Sequence, residues 1–286
     1  MSYSLDKVGV GIIGVGSWGE CHLQALKHLP QVNVNAICDK NKERLQLIGK
    51  SYQISELYTD ENEVMARDDI DMVVVATYEK DHVKTTINAL KKGKHVLVEK
   101  PVSTKFEEAE QMWKVAQDSN RYLVPGHLLR FDPRYAEILP KTLNDEVGKP
   151  LSMYFKRSRE HGLFHTYKRT HTVYELMIHD IDLAIWYANS RVKTVHAFSK
   201  SVMGVESPEI LWSCLTFENG ALAVLQSDWM TPDEALISIN DTVEVIGENG
   251  RAFFTTNDSG LHTWNKSGRQ SNEYNIHSII YGRAYG

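Results

Sequence analysis

The sequence predicts two domains of different class, α/β followed by α+β. The first is a doubly wound parallel sheet, and the second is built on a large, open, mainly antiparallel sheet. Three observations carry this. Up to about residue 125, short apolar runs alternate with amphipathic stretches of about 10–15 residues, the pattern of βαβ units. Beyond one later helix, apolar runs follow one another with little helix between them. Asn219-Gly220 and Asn249-Gly250 sit between adjacent runs, as hairpin turns do. The change of pattern at Pro125-Gly126 divides the chain into 1–125 and 126–286.

Each element follows in order. Residues 8–14 read as a buried strand ending in a glycine turn. Residues 17–29 read as a helix, with Trp18, Leu23, Leu26 and Leu29 near helical spacing. Residues 32–38 are a second strand with Asp39 at its end, and 42–52 are helical. The continuous run 70–76 is a strand buried on both faces. Residues 80–92 form a helix stopped by Gly93. Strand 95–98, helix 106–119 and strand 122–124 complete the first domain. In the second, residues 173–188 are the one clear helix. Strands are expected at 194–201, 210–217, 221–228, 242–246 and 251–255.

The composition removes several classes. Thirty-two Lys plus Arg against 37 Asp plus Glu give a net charge of −5. A nucleic-acid binder would show a basic excess. The longest glycine-and-aliphatic run, 8–16, is far short of the roughly 18–20 apolar residues of a membrane span. The first residues lack the charged-then-apolar pattern of a signal peptide. Cys21, Cys38 and Cys214 form no CxxC pair, so they read as reduced thiols of a cytoplasmic protein.

In a doubly wound sheet the ligand crevice lies at the carboxyl ends of the strands. Gly14-Val-Gly16-Ser17-Trp18-Gly19 stands there, after a strand and opening a helix. Gly14 permits the tight turn, Gly16 lets backbone approach a pyrophosphate, and Gly19 lets helix and strand pack closely. The free N–H groups and the helix dipole then receive negative charge. Asp39 would accept hydrogen bonds from ribose hydroxyls and repel a 2′-phosphate, which favours NAD over NADP. Lys40, Lys42 and Arg44 are near enough to soften that preference. The bland alternative is a strand-end Asp capping the next helix, with Asn41 as competitor. Glu99-Lys100-Pro101 follows strand 95–98 directly, and the proline keeps Lys100 out of helix, on a corner where a substrate could meet it.

The ordered set Gly14-x-Gly16-x-x-Gly19, Asp39, Val75-Ala-Thr77 with His82, and Glu99-Lys100-Pro101 resembles the Gfo/Idh/MocA family (glucose–fructose oxidoreductase and inositol dehydrogenase). Gly126-His-Leu-Leu-Arg130-Phe-Asp-Pro133, Ile178-His179-Asp180-Ile-Asp182 and Val243-Glu-Val-Ile-Gly247 extend the likeness over most of the chain. The resemblance implies an N-terminal Rossmann domain and an NAD(P)-dependent dehydrogenase acting on a sugar, sugar derivative or inositol-like polyol. It implies a cofactor site of Gly14, Gly16, Ser17, Trp18, Gly19, Asp39, Lys40, Thr77, His82, Glu99, Lys100 and Pro101. It nominates Lys100 and His179 as the groups beside the reacting carbon. Glu175 stands where many members carry an aspartate, four residues before the histidine, to contact substrate or to orient His179. Homodimers or homotetramers through the C-terminal sheet are implied, as is a closing helix beyond residue 286, so the C-terminal end reads as trimmed.

Alcohol oxidation needs loss of a hydroxyl proton and of a hydride, and a nicotinamide carries the second. A neutral histidine is a suitable base near pH 7. A nearby ammonium stabilises the alkoxide and pushes the pKa of such a histidine down by like-charge repulsion. His179 and Lys100 make such a pair. Two alternatives remain: redox-neutral glycosidic cleavage or epimerisation with retained NAD, and a non-catalytic NAD-binding sensor. The Tyr-x-x-x-Lys of short-chain dehydrogenases occurs only at Tyr3 to Lys7, ahead of the first strand. His161, His165, His171 and His179 cluster in sequence but read as pocket-facing histidines and not as a metal site. Arg130, Tyr154, Arg157 and Arg159, at or past the domain junction, are candidate substrate contacts or charges on a sheet edge. Trp212, Trp229 and Trp264 read as sheet-packing aromatics.

Overall fold

The computed structural model describes residues 7–256, 260–265, 268–272, 278–280 and 283–285, with side chains as far as Leu261. Tyr3, the Trp264 side chain and the chain terminus lie outside the described residues. The chain divides into two compact units, Met1–Gly126 and His127–Gly286.

In the first unit, strands β1 (Val8–Ile13), β2 (Val32–Cys38), β3 (Leu57–Tyr58), β4 (Met72–Val75), β5 (His95–Val98) and β6 (Leu123–Pro125) form one sheet. Their order is β3-β2-β1-β4-β5-β6, and every pairing is parallel. Helices α1 (Ser17–Lys27), α2 (Lys42–Tyr52), α3 (Glu61–Met65), α4 (Glu79–Lys91) and α5 (Phe106–Asp118) connect them. Residues of alternate parity feed two cores. Val10, Ile12 and Val74 pack with Leu23 of α1 and with Leu45 and Ile48 of α2. Ile13, Val73 and Val75 pack with Val64, Ala89, Leu90, Met112 and Ala116 of the other helices. Continuous apolar strands are thus explained by helices on both faces. The chain order reverses between β1 and β4, and the glycine loop leaves β1 at that switch point.

The second unit begins with a 3-10 turn (Leu128–Phe131) and short helices α6 (Pro133–Ala136) and α7 (Ile138–Leu143). Strand β7 (Pro150–Glu160) leads into α8 (His161–Tyr167), a π-helical turn (Val173–Met177) and α9 (Ile178–Ala188). Then come β8 (Val192–Lys200), β9 (Ile210–Phe217), β10 (Leu222–Thr231), β11 (Ile239–Gly247), β12 (Gly250–Thr255), β13 (Leu261–Asn265) and β14 (Gly268–Asn272). The sheet order is β14-β13-β12-β11-β7-β10-β9-β8, antiparallel except between β7 and β10. A separate pair, Ser278–Ile280 with Arg283–Tyr285, follows. Both Asn-Gly pairs fall at links between adjacent antiparallel strands, β9 to β10 and β11 to β12, as expected.

Two differences from the sequence reading matter. Strand β7 was not expected, and it is central, not an edge. Its apolar alternation of Met153 and Phe155 is continued inward by Arg157, so a charge stands where the pattern calls for a hydrophobe. The expected helix 173–188 is also two pieces. The Ile178 N–H donates to the Val173 carbonyl, an i→i−5 bond that widens the turn just before His179. One face of the sheet packs on α9 through Met153, Phe155, Leu183, Tyr187, Leu225 and Val243.

Candidate active site

Three glycines build the loop after β1 for three separate reasons. Gly14 has φ +90°, the left-handed region. A Cβ on Gly19 would stand 1.9 Å from the Gly14 carbonyl oxygen, so helix and loop touch only because it is absent. A Cβ on Gly16 would meet nothing within 4 Å. The chain itself therefore leaves room above Gly16 at the N-terminus of α1, where Ser17 and Trp18 are also exposed. That room, a helix N-terminus and an acidic strand end suit a dinucleotide.

Asp39 is tied to this loop. Its Oδ2 accepts the Val15 N–H at 2.8 Å and its Oδ1 accepts the Asn41 N–H at 2.8 Å. Each oxygen keeps a lone pair for a ribose hydroxyl. Capping of α2 falls to Asn41, which accepts the Arg44 N–H at 3.0 Å. Lys40 is 85% exposed and 3.4 Å from Asp81.

Lys100 sits at the carboxyl end of β5, partly exposed, with a cis peptide bond to Pro101. Its neighbours hold it. Glu99 is buried; its carboxylate accepts the Lys100 N–H at 3.2 Å and lies 2.6 Å from His22 Nε2 of α1. His82 is buried with Nδ1 2.8 Å from the Pro101 carbonyl and Nε2 3.0 Å from the Thr77 carbonyl. The side chains of two expected cofactor contacts thus have partners within the chain. Both ring nitrogens of His82 are spent on backbone, joining the loops after β4 and β5. Glu99 is turned inward to His22, a residue the sequence reading missed although it lies one helical turn after Gly19.

In the second unit, Glu175 is buried in the π-helical turn and His179 lies partly exposed in the first turn of α9. The aspartates one and three residues after His179 each hold an arginine. Asp182 takes Arg130 through two hydrogen bonds of 2.7 and 2.6 Å, with the guanidinium also 5.3 Å from the Trp186 ring. Asp180 takes Arg157 at 3.1 and 2.7 Å. Arg157 also reaches Asp241 of β11 at 2.8 Å, where Arg159 and the Tyr135 hydroxyl converge. Burial pushes the Asp180 carboxyl up, against the pull of Arg157. Burial acts on Asp241 as well, but Arg157 and Arg159 together hold it below the usual carboxylate range.

Three tentative substrate contacts change role. Arg157 is 2% exposed with its fork filled by Asp180 and Asp241, so it anchors α9 to β7. Arg130 anchors the same helix turn from the other side. Tyr154 lies between Met153 and Phe155 on β7, so strand parity turns it to the face opposite α9, where its hydroxyl donates to Gln226 at 2.8 Å. Trp229 is a packing residue, buried against Phe164 and Leu176. Among the described residues no three His, Cys, Asp or Glu side chains gather as a metal site, and His161 and His165 meet edge to face at 6.1 Å. The cysteines are free, and burial with the Glu61 carboxylate pushes the Cys38 thiol up to about 12.

Fold and loop together define a dinucleotide-binding protein with a second, sheet-based domain. Comparison with known families agrees. Residues 8–127 match the model described as an oxidoreductase family with NAD-binding Rossmann fold, and residues 146–253 match the GFO/IDH/MocA C-terminal domain. The chain belongs to the GFO/IDH/MocA family of NAD-binding oxidoreductases. It is 28% identical over 253 residues to oxidoreductase YrbE of Bacillus subtilis, covering 86% of this chain and 73% of the relative. It is 25% identical over 251 residues to myo-inositol 2-dehydrogenase of Thermotoga maritima, covering 85% and 74%. Among solved structures, an Agrobacterium radiobacter oxidoreductase in complex with NAD+, L-tartaric acid and magnesium shares the fold. Its TM-score is 0.85 at 19% identity, over 93% of this chain and 79% of that one. The first unit contains a Rossmann sheet and the second a mixed, mostly antiparallel one, as the sequence predicts. Among the described residues no helix is long and apolar enough to cross a membrane.

Proposed function

We propose that the chain is an NAD-dependent dehydrogenase acting on a hydroxyl-bearing carbon of a cyclic polyol, sugar or sugar derivative. The observation that carries this reading is Lys100, held at the carboxyl edge of a Rossmann sheet by the Glu99 carboxylate and by the Pro101–His82 contact. A bound nicotinamide dinucleotide supplies two-electron redox chemistry. The chain supplies the rest. His179 takes the hydroxyl proton as a neutral imidazole. Lys100 stabilises the developing alkoxide by its fixed positive charge. Glu175 orients His179 or contacts the substrate, and the arginine-anchored aspartates keep the turn of α9 in place. Arg130, Arg157 and Tyr154 are left out of substrate binding.

The polyol names among the relatives, such as myo-inositol 2-dehydrogenase, support the substrate class. The test is a panel of inositols, sugars and sugar acids with NAD and with NADP, read by nicotinamide absorbance and by product. Reduced cofactor should accumulate one-for-one with oxidised product. Product without reduced cofactor would move the reading to redox-neutral cleavage or epimerisation. NAD binding with no turnover on any member would favour a sensor.

Self-association through the open face of the second sheet is part of this reading. Phe198 and Trp212, 72% and 39% exposed, stand side by side there on β8 and β9. Light scattering should report a dimer or tetramer that Trp212→Glu with Phe198→Glu dissociates.

A further inference from the structure

Arg44 is the residue in this site whose position departs most from its sequence-level promise. An arginine close to the acidic strand end is what accommodates a 2′-phosphate in NADP-binding members of this fold class. Here its fork is occupied. Nη2 donates to Glu20 Oε2 at 2.5 Å, and Nε donates to the Val15 carbonyl at 2.8 Å. Glu20 is buried in the first turn of α1, and its other oxygen accepts the Tyr52 hydroxyl at 2.7 Å. Tyr52 in turn accepts from Gln24 at 2.7 Å. Arg44 and Asp39 therefore grip the same residue: Asp39 holds the N–H of Val15 and Arg44 holds its carbonyl.

We propose that Glu20 is a specificity-determining residue, which by sequestering Arg44 keeps the adenosine end of the site selective for the cofactor without a 2′-phosphate. The proposal rests on the NAD-binding reading of the glycine loop. A 2′-phosphate arriving at Asp39 meets a carboxylate and finds the Arg44 guanidinium already paired with the buried Glu20 carboxylate. Lys40 does not replace it, because a side chain 85% exposed is screened by water. Release of Arg44 requires its Nη2 bond to Glu20 to break, and the planar guanidinium then turns as one unit about its side-chain torsions.

The test is equilibrium binding of NAD+ and NADP+, by calorimetry, to the unaltered protein, Glu20→Gln, Arg44→Leu and the double variant. Glu20→Gln should tighten NADP+ by about tenfold, the worth of one charge-assisted hydrogen bond, with NAD+ changed by less than about threefold. Arg44→Leu alone should leave NADP+ binding weak, and in the Glu20→Gln background it should erase the gain. Unchanged NADP+ affinity in Glu20→Gln, or a gain that survives loss of Arg44, overturns the proposal. Unaltered protein that binds neither cofactor overturns the underlying reading instead. If Glu20→Gln does not fold, Glu20→Asp keeps the charge but shortens its reach, and should give a smaller gain that again depends on Arg44.

Discussion

In the glycine loop a carboxylate holds backbone; in the His179 helix carboxylates hold arginines. Asp39 spends both oxygens on peptide N–H groups from residues 15 and 41. Asp180 and Asp182 spend theirs on guanidinium forks from β7 and from the turn before α6. The first arrangement joins a glycine turn, a strand end and a helix start, its longer link spanning 24 positions. The second spans 23 positions in Arg157–Asp180 and 52 in Arg130–Asp182, and Arg157 extends it a further way, to Asp241, 84 positions on. A site built from backbone fails where a Cβ intrudes. A site built from paired charges fails where one partner goes missing. Substitutions can separate the two.

The largest effect is expected at Lys100, which belongs to neither scaffold. Lys100→Ala should lower turnover by about two to four orders of magnitude, the cost of losing a preorganised charge, while NAD affinity changes little. Stopped-flow turnover beside calorimetry measures both. Near-normal turnover would remove Lys100 from the mechanism.

Next come the losses of structure. Arg157→Ala leaves the buried Asp180 carboxylate without its arginine and Asp241 with Arg159 alone, and should cost about 3–5 kcal/mol in urea unfolding. The pH profile refines this. Asp241 has a folded value below its unfolded one, so its contribution is present above about pH 4 and is lost as pH falls through the folded value. Asp180 is shifted the other way, so its ionised form costs stability above its raised value, and that cost disappears in acid. Asp241→Asn should therefore be less stable at neutral pH with a flatter acid limb, and Asp180→Asn should have a steeper one. The same slope in both would show that these two carboxylates do not titrate as their surroundings dictate.

The glycines give the matching test in the first unit. Gly19→Ala puts a carbon against a backbone oxygen that cannot move aside, and should cost roughly 1–3 kcal/mol and abolish NAD binding. Gly16→Ala meets no neighbour, so unfolding should change by less than about 1 kcal/mol while NAD affinity falls tenfold or more. Loss of stability at Gly16 would mean that the loop, not the ligand, uses that space.

This contrast also explains what could be read in advance. The first unit was legible nearly strand by strand, because buried parallel strands are apolar and their turns carry glycine. Asp39 was legible too, from its place after β2. The anchors of α9 were not, because Arg157 interrupts the apolar alternation of β7 and conceals both the strand and its own burial. Arg130 and Arg157 were recognised as important charges but given to a substrate, since nothing in one sequence pairs residue 157 with 180 or 241. Tyr154 failed by parity: without β7 there was no strand to say which way it points. His22, Glu20 and Arg44 share a cause. Each acts through a partner some 24 to 77 positions away, beyond the reach of any local motif.

The smallest effects test whether the contrast extends to single hydroxyls. Thr86 of α4 and Ser227 of β10 are both fully buried, and among the described residues neither Oγ has a hydrogen-bond partner. Each is a polar atom removed from water with nothing in return, one in each unit. Thr86→Val keeps the shape and removes the hydroxyl, and Ser227→Ala does the same with a slightly smaller side chain. Because replacing an unsatisfied buried group by an apolar one recovers its desolvation cost, each should be neutral or stabilising by up to about 1 kcal/mol. The second unit already buries a satisfied network around Asp241, so a hydroxyl outside that network should behave like the Thr86 hydroxyl of the first unit. If Ser227→Ala destabilises by more than about 1 kcal/mol while Thr86→Val does not, the Ser227 hydroxyl belongs to the polar network after all. The network would then extend from β7 and β11 into β10, and the second unit would depend on charge and hydrogen bonding further into its sheet than the arginine pairs alone imply.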